Sequence, residues 1–295
     1  MSLPAAFVSV ILIWSTTPLA IKWSAVGVGF SFAVFMRMTV GALLCAVLLA
    51  AWRVPVPLHR KALQAYLAGG LSMFGAMVLT YWSSQFVSSG MIAVLFGLSP
   101  LITSLGAMMW LKEEAITASK LAGMAMGLLG LFLVFRGGLD LHAGSALGLI
   151  ALFLAVVSQS LGLVWLKRIG DDSPPLAMTL GILVVALPLF FAAWWLADGQ
   201  VPAEIPERAV AATLYLGTFG SVLGFALYYY LIKHMEAGRI ALITLITPVM
   251  ALLLGHGLNN EAVSPQVWLG TASIVSGLCL HRWGEQWLRR MAKQA

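Results

Sequence analysis

Charged side chains are scarce in this sequence, and that scarcity excludes most soluble folds. Only 9% of the 295 residues are Asp, Glu, Lys or Arg, whereas 61% are hydrophobic and the mean hydropathy is +0.95. A soluble globular domain usually carries about 25% charged residues, because its surface must be hydrated. This chain has too little polar surface to cover its apolar side chains in water, and we predict an integral membrane protein.

Cysteines and catalytic motifs are also scarce, which excludes several kinds of site. Cys45 and Cys279 each lie inside an apolar run, so we interpret them as small buried hydrophobic residues rather than as a disulfide or a thiolate metal site. The sequence has no HExxH, GxSxG, Walker or GxGxxG pattern in a suitable context. We therefore predict no enzymatic activity, no cofactor and no metal. Because the basic residues form short clusters between apolar runs, we also predict no binding of nucleic acid.

Apolar runs of membrane-spanning length fill the chain. A helix needs about 20 mostly apolar residues to cross roughly 30 Å of hydrocarbon, because every backbone amide must be satisfied within the segment. The first run lacks a charged leader and a cleavage site, so we interpret it as a retained helix rather than a signal peptide. The sequence predicts an all-α integral membrane protein with ten transmembrane helices at 4–26, 30–52, 62–86, 88–111, 119–135, 144–166, 175–197, 208–233, 238–258 and 264–283.

The basic residues predict the orientation of these helices, because Lys and Arg concentrate in short cytoplasmic loops. With the amino terminus inside, 13 of the 17 Lys and Arg residues fall in inner loops or the carboxyl-terminal tail. Lys22, Arg136 and Arg208 fall on the outer side, and Arg37 lies within the second span. We predict a multi-pass protein of a bacterial inner membrane with both termini cytoplasmic. Its basic tail, 282–293, is expected to contact anionic lipid.

An internal repeat relates the two halves of the chain. Five residues recur as identical residues 148 positions later, namely Tyr81/Tyr229, Gly90/Gly238, Ala93/Ala241, Pro100/Pro248 and Glu113/Glu261. We therefore divide the chain into a first five-helix repeat, 1–139, and a second, 140–295, which carries the short basic tail. Because five crossings are an odd number, the second repeat enters the membrane inverted. The loop charges agree, since Lys112 has no cationic counterpart beside Asn259. Such a pattern indicates an inverted-topology transporter that works by alternating access.

Polar and aromatic residues inside the spans are the candidate binding residues. Pro100 and Pro248 stand near the middle of the fourth and ninth spans, where each proline is expected to break the helix because it removes one hydrogen bond and frees a backbone carbonyl. Ser99 and Thr247 offer hydroxyl groups beside them, so we predict a binding region at the membrane midplane, with a packing kink as the alternative. The other candidates lining a cavity are Trp14, Thr17, Tyr81, Ser158, Gln159 and Tyr229. For the Ser, Thr and Gln residues among them, hydrogen bonding between helices is the alternative.

Arg37 is the one basic residue well inside a span, seven residues from the start of that span. By helix rise this depth is roughly 10 Å. A charge within the membrane points to function, and Arg37 is expected to hold a substrate carboxylate, with snorkelling to the outer surface as the alternative. The 11 acidic residues all fall at helix ends or in loops. We therefore expect no buried carboxylate to carry a proton, and a facilitator is the simpler hypothesis.

The repeated stretches, 81–113 and 229–261, resemble the EamA repeat of the drug/metabolite transporter superfamily. The resemblance implies a bundle of ten helices in two inverted repeats, with a central cavity lined by helices 1, 3, 4, 6, 8 and 9. In overall look the chain is most similar to the YddG-type branch of aromatic amino-acid exporters.

The resemblance implies export of amino acids, including aromatic and other apolar ones, and of related small metabolites. We expect a monomer or homodimer whose partners are small-molecule substrates and membrane lipids. One alternative is efflux of drugs or cationic dyes, which a cavity without carboxylates would attract poorly. Another is a membrane scaffold that transports nothing.

Overall fold

The computed structural model describes residues 2–111, 117–139, 145–197, 199–235 and 237–292, and every regular element in these ranges is a helix. The helices are α1 (Leu3–Ala25), α2 (Phe30–Trp52), α3 (Arg60–Ser83), α4 (Ser89–Phe96), α5 (Ser99–Leu111), α6 (Ala118–Leu139), α7 (Ser145–Ile169), α8 (Pro175–Ala197), α9 (Glu207–Tyr215), α10 (Gly224–His234), α11 (Ala237–Asn259) and α12 (Pro265–Ala292). Between α9 and α10 the chain forms a π-helix, Leu216–Leu223, which we call the π segment.

Seven of the segments in these ranges are long and apolar enough, by length and composition, to cross a membrane. They are α1, α2, α3, the combined α4–α5 segment through Trp110, α6 through Arg136, α7 and α8. The prediction of an all-helical membrane protein is thus confirmed. The count of ten crossings and the inverted repeat stay predictions.

The fourth predicted span is interrupted near its middle. Helix α4 ends at Phe96, Gly97 and Leu98 form a turn, and α5 begins at Ser99. Pro100 is therefore in the first turn of α5, where a proline costs little because the first N–H groups of a helix have no intrahelical acceptor. The interruption expected beside Pro100 is present.

The matching span behaves differently, so the expectation of a broken helix in both halves is corrected. Helix α11 runs through Pro248 without interruption. The position equivalent to Gly97 is Leu245, and leucine favours the helix by about 1 kcal/mol relative to glycine. A proline removes one hydrogen bond but does not by itself end a helix. The turn in the fourth span thus depends on Gly97 together with Pro100.

Helices α6 and α12 pack antiparallel along their length through glycine. A Cβ atom added to Gly123 would lie 2.6 Å from the carbonyl oxygen of Gly277, and one added to Gly130 would lie 2.6 Å from that of Gly270. Small residues let helix backbones approach closely in a membrane, where packing rather than water exclusion drives association. This contact joins the last helix of the first half to the last helix of the second.

A polar contact joins the start of α3 to the loop between α7 and α8. Nε2 of His59 lies 2.7 Å from Oδ1 of Asp171, and the backbone N–H of Ser173 donates to the other carboxylate oxygen at 3.1 Å. Burial raises the pKa of Asp171, but hydrogen bonds from Ser173 and His59 and the attraction of a charged imidazole outweigh it, so the pKa lies below its ordinary value. The carboxylate form is the form that this contact stabilises.

Substitution of Gly130 tests the α6–α12 contact. Gly130→Ala places a methyl group against a backbone carbonyl, and we expect a loss of about 1–3 kcal/mol of stability, typical of overpacking. The measurement is the thermal unfolding temperature of the purified protein in detergent. Gly257→Ala is the matched control, because a Cβ atom at Gly257 meets no atom within 4 Å. An equal effect of the two substitutions would contradict the packing described here.

The lowered pKa of Asp171 predicts a pH dependence of stability. Its contribution is present above the ordinary carboxyl value of about 4 and is lost as the pH falls through the lower folded value. We expect Asp171→Asn to reduce the unfolding temperature at pH 6 and to lose less stability than the unsubstituted protein on acidification to pH 3. Asp172→Asn, which alters the exposed neighbouring carboxylate, should change neither quantity.

Candidate functional site

Arg37 lies about two turns into α2 and is enclosed by protein. Its residue exposure is 5%, so the side chain does not extend to the surface. The Nε group donates to Oγ of Ser221 at 3.4 Å, and the guanidinium carbon lies 6.0 Å from the centre of the Tyr81 ring. Both neighbours are uncharged, so the positive charge is enclosed by protein with only weak compensation.

One guanidinium nitrogen has no partner. The Nη1 atom of Arg37 is buried and makes no hydrogen bond, and no acidic side chain in the part of the chain described here forms a salt bridge with Arg37. A buried charge without a counter-charge is costly, because protein of low polarity replaces its hydration shell poorly. An anion placed at Nη1 would relieve that cost. The arrangement is therefore suited to bind a carboxylate or a similar anionic group.

The π segment brings small residues against Arg37. A Cβ atom added to Gly220 would lie 3.6 Å from both Nη2 of Arg37 and Oγ1 of Thr17, and one added to Gly217 would lie 3.3 Å from the Arg37 carbonyl oxygen. The extra residue per turn of a π-helix rearranges the backbone locally, and such bulges occur often at functional sites. Here the π segment contributes Ser221 and two glycines to the surroundings of Arg37.

Aromatic residues extend this cluster along α1. The rings of Trp14 and Tyr228 are centred 4.8 Å apart, and a Cβ atom added to Gly224 would lie 3.1 Å from Nε1 of Trp14. Tyr81 is completely buried, and its hydroxyl oxygen accepts a hydrogen bond of 3.5 Å from Ser24. The side chain of Tyr229 lies outside the described residues. The structure thus places Thr17 and Tyr81 beside Arg37, with Trp14 about one turn before Thr17 on α1.

A second group of predicted residues joins helices instead. The hydroxyl of Ser158 donates to the Ser72 carbonyl oxygen at 3.1 Å, which links α7 to α3. The neighbouring Ser160 donates to the Ser99 carbonyl oxygen at 3.4 Å, which links α7 to α5. Gln159, which lies between these two serines on α7, and Pro100, which follows Ser99 on α5, are both partly buried. For Ser158 the observed contact corresponds to the alternative of helix–helix hydrogen bonding, whereas Ser99 takes part only through its backbone carbonyl oxygen.

The remaining pair, Thr247 and Pro248, lies on α11. The Thr247 hydroxyl donates to the Ile243 carbonyl oxygen of its own helix at 2.9 Å. A Cβ atom added to Gly97 would lie 3.1 Å from Cγ of Pro248, so α11 packs against the turn that separates α4 from α5. Pro248 therefore contacts the interruption of the matching helix rather than forming an interruption itself.

Two parts of this region were not predicted. Ser221 and the π segment were not among the predicted features of the site, although the small residues at 217, 220, 221 and 224 lie on one helical face of the eighth span. The expectation of no buried carboxylate is also wrong. Glu261 does lie in a loop, but its residue exposure is 9% and its side chain bonds to α4. The match of Glu261 with Glu113 was the available signal; Glu113 lies outside the described residues.

The family and the relatives that match this chain are named as transporters. The profile of the EamA-like transporter family matches residues 3–136 and 146–283. The inner membrane transporter YedA of Escherichia coli K12 is 29% identical over 283 residues, which cover 93% of this chain and 89% of YedA. A protein of the same strain named as a probable amino-acid metabolite efflux pump is 25% identical over 182 residues, covering 59% of this chain and 61% of that protein.

A solved crystal structure has the same fold, with a TM-score of 0.65 at 20% identity over 96% of this chain and 98% of the other. The family profile covers most of the chain and includes all the helices that surround Arg37. This chain belongs to the EamA-like transporter family.

Proposed function

We propose that this protein exports amino acids and related small metabolites across the bacterial inner membrane by alternating access, and that Arg37 binds the carboxylate of the cargo. The observation that carries the proposal is the buried guanidinium whose Nη1 atom has no hydrogen-bond partner. In alternating access the binding site near the membrane midplane opens to one side at a time, and a fixed charge in it selects cargo of opposite charge.

The surroundings of Arg37 fit an amino acid in other respects. A carboxylate can accept charge-assisted hydrogen bonds from the guanidinium, which are about twice as strong as neutral ones. The hydroxyl of Thr17 donates to the Ile13 carbonyl oxygen at 2.7 Å, so the lone pairs of its oxygen face away from that bond and can accept from an ammonium group. Trp14 offers a flat apolar surface for a hydrophobic side chain. Relatives from two enterobacteria named as probable amino-acid metabolite efflux pumps support this cargo.

The ten-helix, two-repeat architecture is part of the proposal, and contacts across the bundle support it. The segments Ser89–Leu111 and Ala237–Asn259 begin and end 148 residues apart, which is the offset of the sequence repeat. After a one-residue slip, Gly123 aligns with Gly270 and Gly130 with Gly277.

Across the α6–α12 contact these glycines exchange partners, because Gly123 faces Gly277 and Gly130 faces Gly270. A two-fold axis produces such an exchange. Since the two helices are antiparallel, that axis lies in the membrane plane, as in inverted repeats.

Efflux of cationic drugs or dyes is less compatible with this site. Arg37 would repel a cation at close range, and a medium of low polarity strengthens that repulsion. No acidic side chain among the described residues offsets the charge of Arg37. A scaffold that transports nothing would not explain why a membrane protein of a transporter family encloses an arginine without a counter-charge.

Substitution of Arg37 tests the proposed cargo. In proteoliposomes supplied with a panel of radiolabelled amino acids, we expect Arg37→Ala to reduce transport about tenfold to a hundredfold, the range for losing a hydrogen bond to a charged group. Arg37→Lys should keep part of the activity, because it keeps the charge. Arg60→Ala, which removes an exposed arginine at the start of α3, is the control. Unchanged transport by folded Arg37→Ala would refute the role of Arg37.

Two matching loops test the inversion of the second repeat. The loop between α2 and α3 and the loop between α8 and α9 correspond in the repeat, so we expect them on opposite faces of the membrane. Leu58 in the first loop is 73% exposed and Val201 in the second is 66% exposed, so each accepts a labelled cysteine. In a variant without Cys45 and Cys279, a membrane-impermeant maleimide added to intact cells should label Val201→Cys but not Leu58→Cys. Labelling of both from one face would contradict the inversion.

A further inference from the structure

Glu261 follows α11 in the second half of the chain and reaches the start of α4 in the first half. Its Oε2 atom accepts hydrogen bonds from the backbone N–H of Ser89 at 2.8 Å, from the Ser89 hydroxyl at 2.8 Å and from the N–H of Gly90 at 3.4 Å. The first N–H groups of a helix lack intrahelical acceptors and carry a partial positive charge, so a carboxylate there is stabilised. Glu261 thus caps a helix of the other half.

The other carboxylate oxygen connects the same residue to α1 and α11. Oε1 of Glu261 accepts from Nδ2 of Asn259 at 3.0 Å and lies 3.8 Å from Nζ of Lys22. Lys22 also donates to the Val87 carbonyl oxygen at 2.8 Å, just before α4. The amide oxygen of Asn259 accepts from Nε1 of Trp23 at 3.0 Å. We call Glu261, Ser89, Lys22, Asn259 and Trp23 the Glu261 latch.

One further titratable group faces this cluster. Nδ1 of His256 lies 3.0 Å from the backbone oxygen of Glu261, so the imidazole contacts the main chain rather than the carboxylate. Lys22 is the cation nearest the carboxylate in the described residues. The guanidinium carbon of Arg208, at the start of α9, lies 3.9 Å from the centre of the Trp23 ring and adds a second positive charge at this end. The carboxylate of Glu261 and the ammonium group of Lys22 come from different halves of the chain.

The backbones beneath the latch are in close contact. A Cβ atom added to Gly90 would lie 2.4 Å from Cδ2 and 3.0 Å from Cα of Leu252, and one added to Gly255 would lie 2.7 Å from the Ser89 hydroxyl oxygen. Leu252 has a residue exposure of 1%. No solute can pass between α4 and α11 at this point. The two helices must separate if a path is to open here.

We propose that the Glu261 latch is a gate that holds the two halves together at one face of the membrane and must break when the transport path opens to that face. The loop charges predict that this face is the outer one. The inference rests on the proposed alternating access and adds the device that closes one side. Breaking the latch exposes Glu261 and Lys22 to water, so hydration replaces the lost bonds. The closed state with the latch formed and the open state with the latch broken can therefore have similar free energies, which a gate requires.

Alkylation of a cysteine beneath the latch tests the gate. In a variant with Cys45→Ser and Cys279→Ser, Leu252→Cys should react slowly with a membrane-impermeant maleimide applied from the outer face. We expect Glu261→Ala to raise this rate about tenfold or more, because hydrogen bonds to a charged group are lost. Glu261→Gln should give a smaller increase, since it keeps an acceptor oxygen but no charge. Glu207→Gln, which alters an exposed carboxylate at the start of α9, should leave the rate unchanged.

Two outcomes of that measurement would overturn the proposal: an unchanged alkylation rate in folded Glu261→Ala, or an increase seen only from the opposite face. If Glu261→Ala is not recovered from membranes, Lys22→Met provides the same comparison with the carboxylate in place. The reaction requires no cargo. A failure of carboxylate transport would therefore leave the gate test intact, and a failure of the gate would leave the Arg37 test intact.

A disulfide across the same contact gives a second test. Gly90→Cys with Leu252→Cys in the cysteine-free variant removes the leucine side chain that would obstruct a Cβ atom at Gly90. That Cβ lies 3.0 Å from the Leu252 Cα, so the two positions are close enough for a disulfide once the helices move apart by a few tenths of an ångström. We expect oxidation to stop transport and reduction to restore it. Full transport by completely cross-linked protein would show that the helices need not separate here and would overturn the gate.

Discussion

The structure depends on the requirement that polar groups inside a membrane find their partners within the protein. Hydrocarbon supplies no hydrogen bonds, so a regular helix is the cheapest way to carry the backbone across. Each departure from a regular helix therefore needs support from neighbouring helices. The turn at Gly97 and Leu98 is covered by Pro248 of α11, and the π segment packs on α2 near Arg37. Arg37 is only partly satisfied, because its Nη1 atom has no hydrogen-bond partner.

Small residues make these departures possible. At the glycines at positions 90, 97, 123 and 130, backbone or side-chain atoms of the partner helix occupy the space that a Cβ atom would fill. In water, apolar burial would dominate such contacts, but lipid is as apolar as leucine, so close packing must provide the attraction. Helix contacts that consist of glycine and polar side chains, with few interlocked bulky residues, can also separate without exposing large apolar surfaces. This property suits contacts that must change during transport.

The two halves are similar in sequence but differ in shape. The first half has an interrupted fourth span and a regular α3, whereas the second half has a continuous α11 and a π segment in the span that corresponds to α3. The two polar clusters differ as well, because Arg37 lies inside the bundle while the Glu261 latch lies at one end. A transporter with two equivalent halves needs such a difference in any single state, since a perfectly symmetric arrangement would be open or closed to both sides at once.

The helical segments and the family can be predicted from the amino-acid sequence. Residues 30–52 and 175–197 were predicted as spans and correspond to α2 and α8 with the same ends. The length of an apolar run is a local property of the sequence, and it determines whether a helix is long enough to span the membrane. The spans can therefore be predicted without knowing which helices pack beside them. The position of Arg37 inside a span can also be predicted, because it is a lone charge in an apolar run.

Which polar groups have hydrogen-bond partners depends on how the helices pack in three dimensions. The interruption at Gly97 but not at Pro248, the bonds of Ser158 to α3, the π segment and the burial of Glu261 all depend on how helices distant in sequence face one another. The rotation of each helix about its axis and the distance between helices determine which groups can form hydrogen bonds. The sequence repeat shows which positions are equivalent, but it gives neither the rotation nor the distance. The burial of a loop carboxylate by a helix more than 170 residues away could therefore not be read from the chain alone.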